Sequence, residues 1–334
     1  MAKRVTILDV AAEVGVSRQT VTRAMNGTGR ISEATRQKVL DAAERLGYRA
    51  SRFARSLVTR EKTPAMGFVV ASFRNPYYTD LAASLLEAGA DRGWQIMVAS
   101  TERGMDEALA MLAPQVDVIV GHLAGADAHL RRVCGGLPLV RLDAEFRSGS
   151  DSAPGVHAVG VDLKTGVEEA VGVLRERGAQ TFGMVDSANY RRHFGGDTVS
   201  PRRRWFEDAV GDDLTGVIVG EESISGGGRA FAELMERHPG TDAVLMFNDL
   251  MALGAVQSAH HLGIEVPRHV SIVGVDGLAL GEAVDPPLTS IAIDRSEFAG
   301  HVMDVVETLA KAEFARLEPI RRRAASRVLW RGSA

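Results

Sequence analysis

The chain has 334 residues, 45% of them hydrophobic, and a formal net charge of −4, enough for roughly two or three globular domains. No run of about 18 apolar residues occurs, so no membrane-spanning helix is expected, and no apolar stretch follows the start, so no export signal is expected. The single cysteine, Cys134, rules out an intrachain disulfide and suits a reducing cytoplasm; beside Gly135-Gly136 it reads as a bystander and not a nucleophile.

The first element is a short helix that Thr6 caps, with Asp9 three residues on. Ile7, Val10, Ala11 and Val14 fall on one apolar face of it. Gly15 ends this helix and Ser17 caps the next only two residues later. So short a turn makes the helices cross steeply, which is helix-turn-helix geometry. The second helix turns Val21 and Ala24 inward and leaves Arg18, Gln19, Thr22 and Arg23 outside. Arginine and glutamine are side chains that pair bidentately with guanine and adenine edges in a major groove. A third helix over Glu33–Leu46, started by Ser32 and ended by Gly47, buries Val39, Leu40, Ala43 and Leu46, with Tyr48 packing back on the three-helix core.

Charge is divided along the chain. Residues 1–62 carry 13 Lys and Arg against 6 Asp and Glu, whereas the remainder carries 26 against 37. A basic head on an acidic body supplies the salt-sensitive, sequence-independent part of DNA affinity. From Ser51 a basic segment holds two apolar residues, Phe53 and Leu57, four apart. It can form two turns of helix that are marginal in isolation. Glu61 to Pro64 reads as a linker.

From Met66 short apolar runs alternate with helical stretches. Strands are expected at 66–72, 94–100, 116–120, 139–142, 158–161, 181–185, 217–219, 243–247 and 270–275, and a last one near Val328. Helices are expected at 79–92, 105–112, 166–177, 201–210, 228–237 and 250–262. Such alternation means parallel sheet covered on both faces, with ligands at the carboxyl ends of the strands. Polar residues at those ends are Ser72, Ser100, Asp143, Asp186, Asn248 with Asp249, and Asp276.

Enzyme machinery is not evident. Ser225-Gly-Gly-Gly-Arg-Ala lacks the ending of a P-loop and the spacing of a dinucleotide fingerprint, and reads as a flexible helix entry. There is no His-Glu-x-x-His, no Cys/His cluster and no Gly-x-Ser-x-Gly elbow, so no metal, cofactor or nucleophile is expected. Arg202-Arg203-Arg204 ahead of Trp205-Phe206 is either a solvated helix start or a cation and an aromatic ring at a ligand cleft.

These residues resemble the LacI/GalR family of bacterial transcription regulators. The match is specific over residues 5–57: Asp9-Val-Ala, Gly-Val-Ser17, Thr20-Val, Arg23, Asn26-Gly, Arg30-Ile-Ser, Thr35-Arg, Leu46-Gly-Tyr48 and Ala54-Arg-Ser-Leu57. It continues in Asn75-Pro-Tyr-Tyr78, Asn248-Asp249 with Met251-Ala-Leu-Gly254, Val270-Ser-Ile-Val-Gly-Val-Asp276 and Pro287-Leu-Thr289. The resemblance implies an α/β fold: a three-helix head at 1–49, a hinge helix and linker at 50–63, and a periplasmic-binding-protein-like core at 64–334. The core would hold two parallel-sheet subdomains, one from about 64–160 and 293–322, the other from about 161–292 and 323–334. Members act as homodimers on pseudo-palindromic operators, most often as repressors, and an effector in the cleft shifts the core between two states.

Residue by residue, the resemblance places Thr6, Ser17, Arg18, Gln19, Thr20, Thr22, Arg23, Asn26 and Arg30 of the head on DNA. In the hinge it adds Ser51, Arg55 and Leu57, the last as a minor-groove wedge. The effector set it implies is Phe73, Tyr77, Tyr78, Ser100, Arg202, Trp205, Asn248 and Asp276. Trp205 stands where the family has glycine, and Gly277 stands where it has a second acidic residue. Arg, Asn and Asp beside aromatic rings suit a polyhydroxylated ligand, a sugar or sugar phosphate, over a nucleobase. The expected function is an effector-controlled repressor of a carbohydrate-utilisation operon. Its rivals are a transport sugar-binding protein, which has no use for the head, a regulator responding to a nucleobase, and an α/β enzyme, which lacks a catalytic constellation.

Overall fold

The computed structural model describes residues 7–26, 31–46, 63–142, 155–190, 199–312 and 318–334. It divides into two compact units, residues 1–64 and 65–334. The first holds three helices, α1 (Ile7–Val14), α2 (Arg18–Asn26) and α3 (Glu33–Arg45). Gly15, at φ 72°, takes the left-handed turn between α1 and α2, where a side chain would be strained. Val10, Val21, Val39 and Ala42 are fully buried between the helices, with Ala11, Ala24 and Ala43 beside them. Leu40, expected in this core, is only half-buried. Ala42 fills the contact because small side chains let three short helices approach closely.

The second unit is built on an eleven-stranded sheet in the order β2-β1-β3-β4-β5-β11-β10-β9-β8-β6-β7. Its strands in chain order are β1 (Ala65–Val70), β2 (Gln95–Ser100), β3 (Val118–Gly121), β4 (Leu139–Leu142), β5 (Val156–Asp162), β6 (Phe182–Ser187), β7 (Leu214–Gly220), β8 (Ala243–Met246), β9 (Ser271–Asp276), β10 (Thr289–Ile293) and β11 (Arg321–Leu329). All pairings are parallel except β10 with β11. One long strand joins the halves: the first part of β11 pairs with β5 from Arg321 against Ala158, and its second part pairs with β10 up to Leu329 against Ser290. Helices between the strands are α4 (Pro76–Asp91), α5 (Met105–Leu112), α6 (Asp127–Val133), α7 (Leu163–Glu176), α8 (Pro201–Val210), α9 (Ile224–Arg237), α10 (Asp249–Leu262) and α11 (Arg295–Lys311).

The glycines at 226–228 are not a flexible entry but lie inside α9. A Cβ on Gly227 would overlap the backbone of Met251, and one on Gly254 would overlap the carbonyl of Ile224. Glycine is therefore required where α9 and α10 touch backbone to backbone. Asp127–Val133, Thr289–Ile293 and Arg295–Lys311 are elements outside the expected strands and helices. The helix at 127–133 is only seven residues long, too short to show a periodicity.

Gly254→Ala should destabilise the chain by about 2 kcal/mol or more, because the clash is with backbone and not with a movable side chain. Gly172→Ala, in α7 with open space where its Cβ would be, should instead stabilise by about 0.5–1 kcal/mol. Urea denaturation of both variants checks the contrast; equal effects would contradict the close-packing account.

Candidate nucleic-acid interface and effector cleft

In the head, Ser17 Oγ accepts from Thr20 N at 3.1 Å and lies 2.9 Å from the Thr20 hydroxyl. That cap satisfies one of the amides left open at the start of α2. Ser17 and Thr20 thus spend hydrogen bonds on each other, while Arg18, Gln19 and Arg23 are exposed. Thr22 is half-buried, and its hydroxyl donates to the Arg18 carbonyl at 3.0 Å. Its oxygen is left to accept, and its methyl to make apolar contact. Asn26 ends α2. Ser32 caps α3 through Thr35 N at 3.2 Å, and Arg45 reaches back to Glu13 at 3.3 Å, holding α3 against α1. Thr6, Arg30, Tyr48, Ser51, Arg55, Leu57 and Asp143 lie outside the described residues.

In the larger unit the carboxyl ends of β6, β8 and β9 bring several expected residues to one edge of the sheet. Ser200 caps α8, its Oγ accepting from Arg203 N at 3.1 Å, and Pro201 sits in the first turn. This fixes Arg202 at the helix start. Arg202 donates to the carbonyl of Phe247 and lies 4.5 Å from the centre of that ring. Its other amino nitrogen is 3.6 Å from Asp276 Oδ1. Asn248, the next residue after Phe247, caps α10 by accepting from Met251 N at 3.0 Å. Arg202, Asn248 and Asp276, from three separate segments, are thus brought together.

Asp276 ends β9 at φ 121°, followed by Gly277 at φ 70°. A non-glycine residue there carries strain of order 1–3 kcal/mol and persists only where its surroundings hold it. Asp249 does the holding. Its two oxygens accept from Leu278 N and Ser290 Oγ, both at 2.6 Å, and Ser290 Oγ accepts from Gly277 N at 3.0 Å. Burial pushes the Asp249 carboxyl up to about 6, against the pull of those two hydrogen bonds and of Arg295 and Arg331. Arg295, at the start of α11, donates to the Asp276 carbonyl at 2.9 Å.

Arg295 also links this edge to the expected aromatic residues. Its guanidinium lies 5.6 Å from the centre of the Tyr77 ring and 3.7 Å from Asp80. Tyr77 is buried, and its amide is held by Asn75 Oδ1 at 3.0 Å. Tyr77, Tyr78 and His122 pack edge to face, with Tyr78 and His122 centred 5.0 Å apart. Phe73 stands apart, 46% exposed in the turn before α4. Ser100 is half-buried at the end of β2, opposite Val70. Trp205 is half-buried and packs against the central hydrophobic core. Among the described residues no hydrogen bond, ion pair or ring contact joins Phe73, Ser100 or Trp205 to the Arg202 group. Sequence reasoning missed Arg295, His122 and Phe247. A signal for Arg295 existed, since Asp294 is a cap directly after the apolar run 291–293. None existed for His122, which only the fold brings to the tyrosines. Burial and Asp106 push the Cys134 thiol up to about 11, which keeps it protonated and unreactive.

A helix-turn-helix head with bare arginine and glutamine on its second helix, followed by a two-part α/β core with polar groups at its strand ends, defines an effector-responsive DNA-binding regulator. Residues 6–51 match the model of bacterial regulatory proteins of the lacI family, and residues 171–334 match a periplasmic binding protein-like domain. The catabolite control protein A of Priestia megaterium is 28% identical over 298 residues, covering 86% of this chain and 87% of that protein. That of Staphylococcus epidermidis is 29% identical over 292 residues, with the same coverage. A LacI family transcriptional regulator from an Arthrobacter species, solved with lactose, superposes with a TM-score of 0.71 at 26% identity over 82% of this chain and all of that one. A lac repressor dimer bound to operator shares the fold, with a TM-score of 0.75 at 23% identity over 99% of both chains. The chain thus joins a lacI-family DNA-binding domain to a periplasmic binding protein-like domain, and its homologues are regulators of the LacI family. These homologues are regulators and not enzymes, and among the described residues no helix is long and apolar enough to cross a membrane.

The Asp249 network gives a pH prediction. A carboxyl raised when folded contributes stability that is complete below its unfolded value and lost as pH rises through about 6. Asp249→Asn should therefore gain on the wild type as pH rises from 5 to 7.5, by on the order of 1–2 kcal/mol. Denaturant midpoints at the two pH values check the sign; a difference independent of pH would contradict it.

Proposed function

We propose that the chain is a dimeric repressor of carbohydrate-utilisation genes. It reads its operator with α2 and takes a sugar or sugar phosphate in the core cleft. It acts in the cytoplasm, needs no metal or cofactor, and catalyses nothing. The observation that carries the effector half is the meeting of Arg202, Asn248 and Asp276 at one strand edge. Together they offer a donor fork, an amide and a carboxylate, a set that suits neighbouring hydroxyls. Relatives add support: the Arthrobacter regulator was solved with lactose, and CelR, 25% identical with a TM-score of 0.69 over 99% of this chain, was solved with cellobiose. The lac repressor structure is a dimer on operator, and two heads at fixed spacing are what a pseudo-palindrome requires.

Mobility shift with DNA from upstream of the chain's own gene, and of its neighbours, tests the regulator. Arg18→Ala and Gln19→Ala should change the sequence preferred, losing about 1–3 kcal/mol per bidentate contact. Selection from a random DNA pool reads this out, and an unchanged consensus in both variants would refute the base-reading roles. In the hinge, Leu57→Ala should lose specific affinity and bending but keep salt-sensitive non-specific binding, as the basic residues remain.

For the effector, Asp276→Ala should abolish the response of operator binding to the sugar while the unliganded protein still binds operator, since Asp276 is not on the recognition helix. A thermal-shift screen of sugars, sugar phosphates and purines on the full chain identifies the class. Stabilisation by a purine alone would end the carbohydrate reading.

A further inference from the structure

One buried carboxylate at this edge has no role in what precedes. Asp186, at the end of β6, is 0% exposed. Its Oδ1 accepts from Ser200 Oγ at 2.7 Å, and its Oδ2 has no hydrogen-bond partner. On the adjacent strand β8, in register with Val185 opposite Met246, the chain runs directly to Asn248. Asn248 is 1% exposed, and its Nδ2 is likewise without a partner. A buried acceptor and a buried donor stand unsatisfied at neighbouring strand ends, a condition native folds ordinarily avoid.

The charges around them point one way. The next residue, Ser187, donates to Glu222, which follows β7. Among the described residues, Asp186, Glu222 and Asp276 are three carboxylates at this edge, and the arginines beside them are engaged, Arg295 with the Asp276 carbonyl and Asp80. Arg202 serves the Phe247 carbonyl and Asp276, and Arg203 is bound to Glu207 at 2.6 Å. Ser200 ties Asp186 to the same helix turn that presents Arg202.

We propose that Asp186 is an effector contact, and that the cleft selects a ligand that donates hydrogen bonds and carries no anionic group. That class is a neutral polyol or amino sugar, and it excludes sugar phosphates. The inference rests on the carbohydrate reading and narrows it. Ligand hydroxyls can give a proton to Asp186 Oδ2 and accept one from Asn248 Nδ2, whereas an ionised phosphate only accepts and is repelled by the carboxylates. Both atoms lie beneath the surface, so a ligand reaches them only as the strand-end segments part. Occupancy is thereby coupled to the shape of the core.

The test uses the full-length protein in thermal-shift and calorimetric titrations. The probes are glucose, galactose, lactose and cellobiose, glucosamine and galactosamine, glucose 6-phosphate and galactose 6-phosphate, and adenine and hypoxanthine. At least one unphosphorylated sugar should bind saturably, with any matching phosphate at least ten-fold weaker. D186N keeps an oxygen for Ser200 but presents an amide where the acceptor was. It should bind that sugar at least ten-fold more weakly and discriminate less against the phosphate. E222Q, which keeps a partner for Ser187, should relieve the phosphate penalty and serves equally if D186N does not fold. A phosphate that binds as tightly as its parent sugar overturns the inference and leaves the carbohydrate reading intact. So does a D186N protein with unchanged sugar affinity, the result expected if only water pairs with Oδ2. Silence of every sugar, or binding of a purine alone, overturns both.

Discussion

The cleft edge of this regulator depends on one buried carboxylate, that of Asp249. Asp249 accepts from Leu278 N and, through Ser290, restrains Gly277. Those bonds flank Asp276 and hold it in a backbone conformation it would not adopt alone. From that position the Asp276 carboxylate faces Arg202 and its carbonyl receives Arg295. The cost is visible in Asp249 itself, whose ionised form is disfavoured by burial. Stability is spent to fix a geometry, a pattern ordinary at functional sites.

Arg295 gives that geometry a route to the rest of the core. Its guanidinium contacts the Asp276 carbonyl on one side and the Tyr77 ring on the other. Tyr77 belongs to the half of the sheet built on β1 to β5, and Asp276 to the half built on β6 to β10. A ligand that changes the surroundings of Asp276 therefore acts on a side chain anchored in both halves. Differential contacts of this kind are what an effector needs in order to favour one state of a two-state core. Strand β11, paired to β5 and to β10 in turn, gives the halves a shared backbone about which such a change can occur.

The head obeys a simpler logic. Its three helices are short, and alanines and valines fill the space between them, so little apolar surface is available to stabilise it. Capping by Ser17 and Ser32 satisfies helix-start amides at no cost in size. The face of α2 that bears Arg18, Gln19 and Arg23 is then left exposed, outside the core.

Local pattern alone was enough for the helix-turn-helix, the alternation of strands and helices, and strand-end positions for Asn248, Asp249 and Asp276. Capping, glycine turns and apolar spacing act over a few residues and are written in the chain. The tertiary structure decided what depends on distant residues meeting. Glycines 226–228 read locally as a loose entry, yet only the backbone of Met251 shows why no side chain fits there. His122 is unremarkable until two tyrosines pack on it. Asp186 was one polar strand end among several, and its missing partner is a property of the space around it. Trp205 belongs to the core's margin because the rest of α8 turns it there. The sequence determines which chemistry is carried and on which element; long-range packing decides which of those groups share a site, because contact between remote segments is paid for by burial that no local window contains.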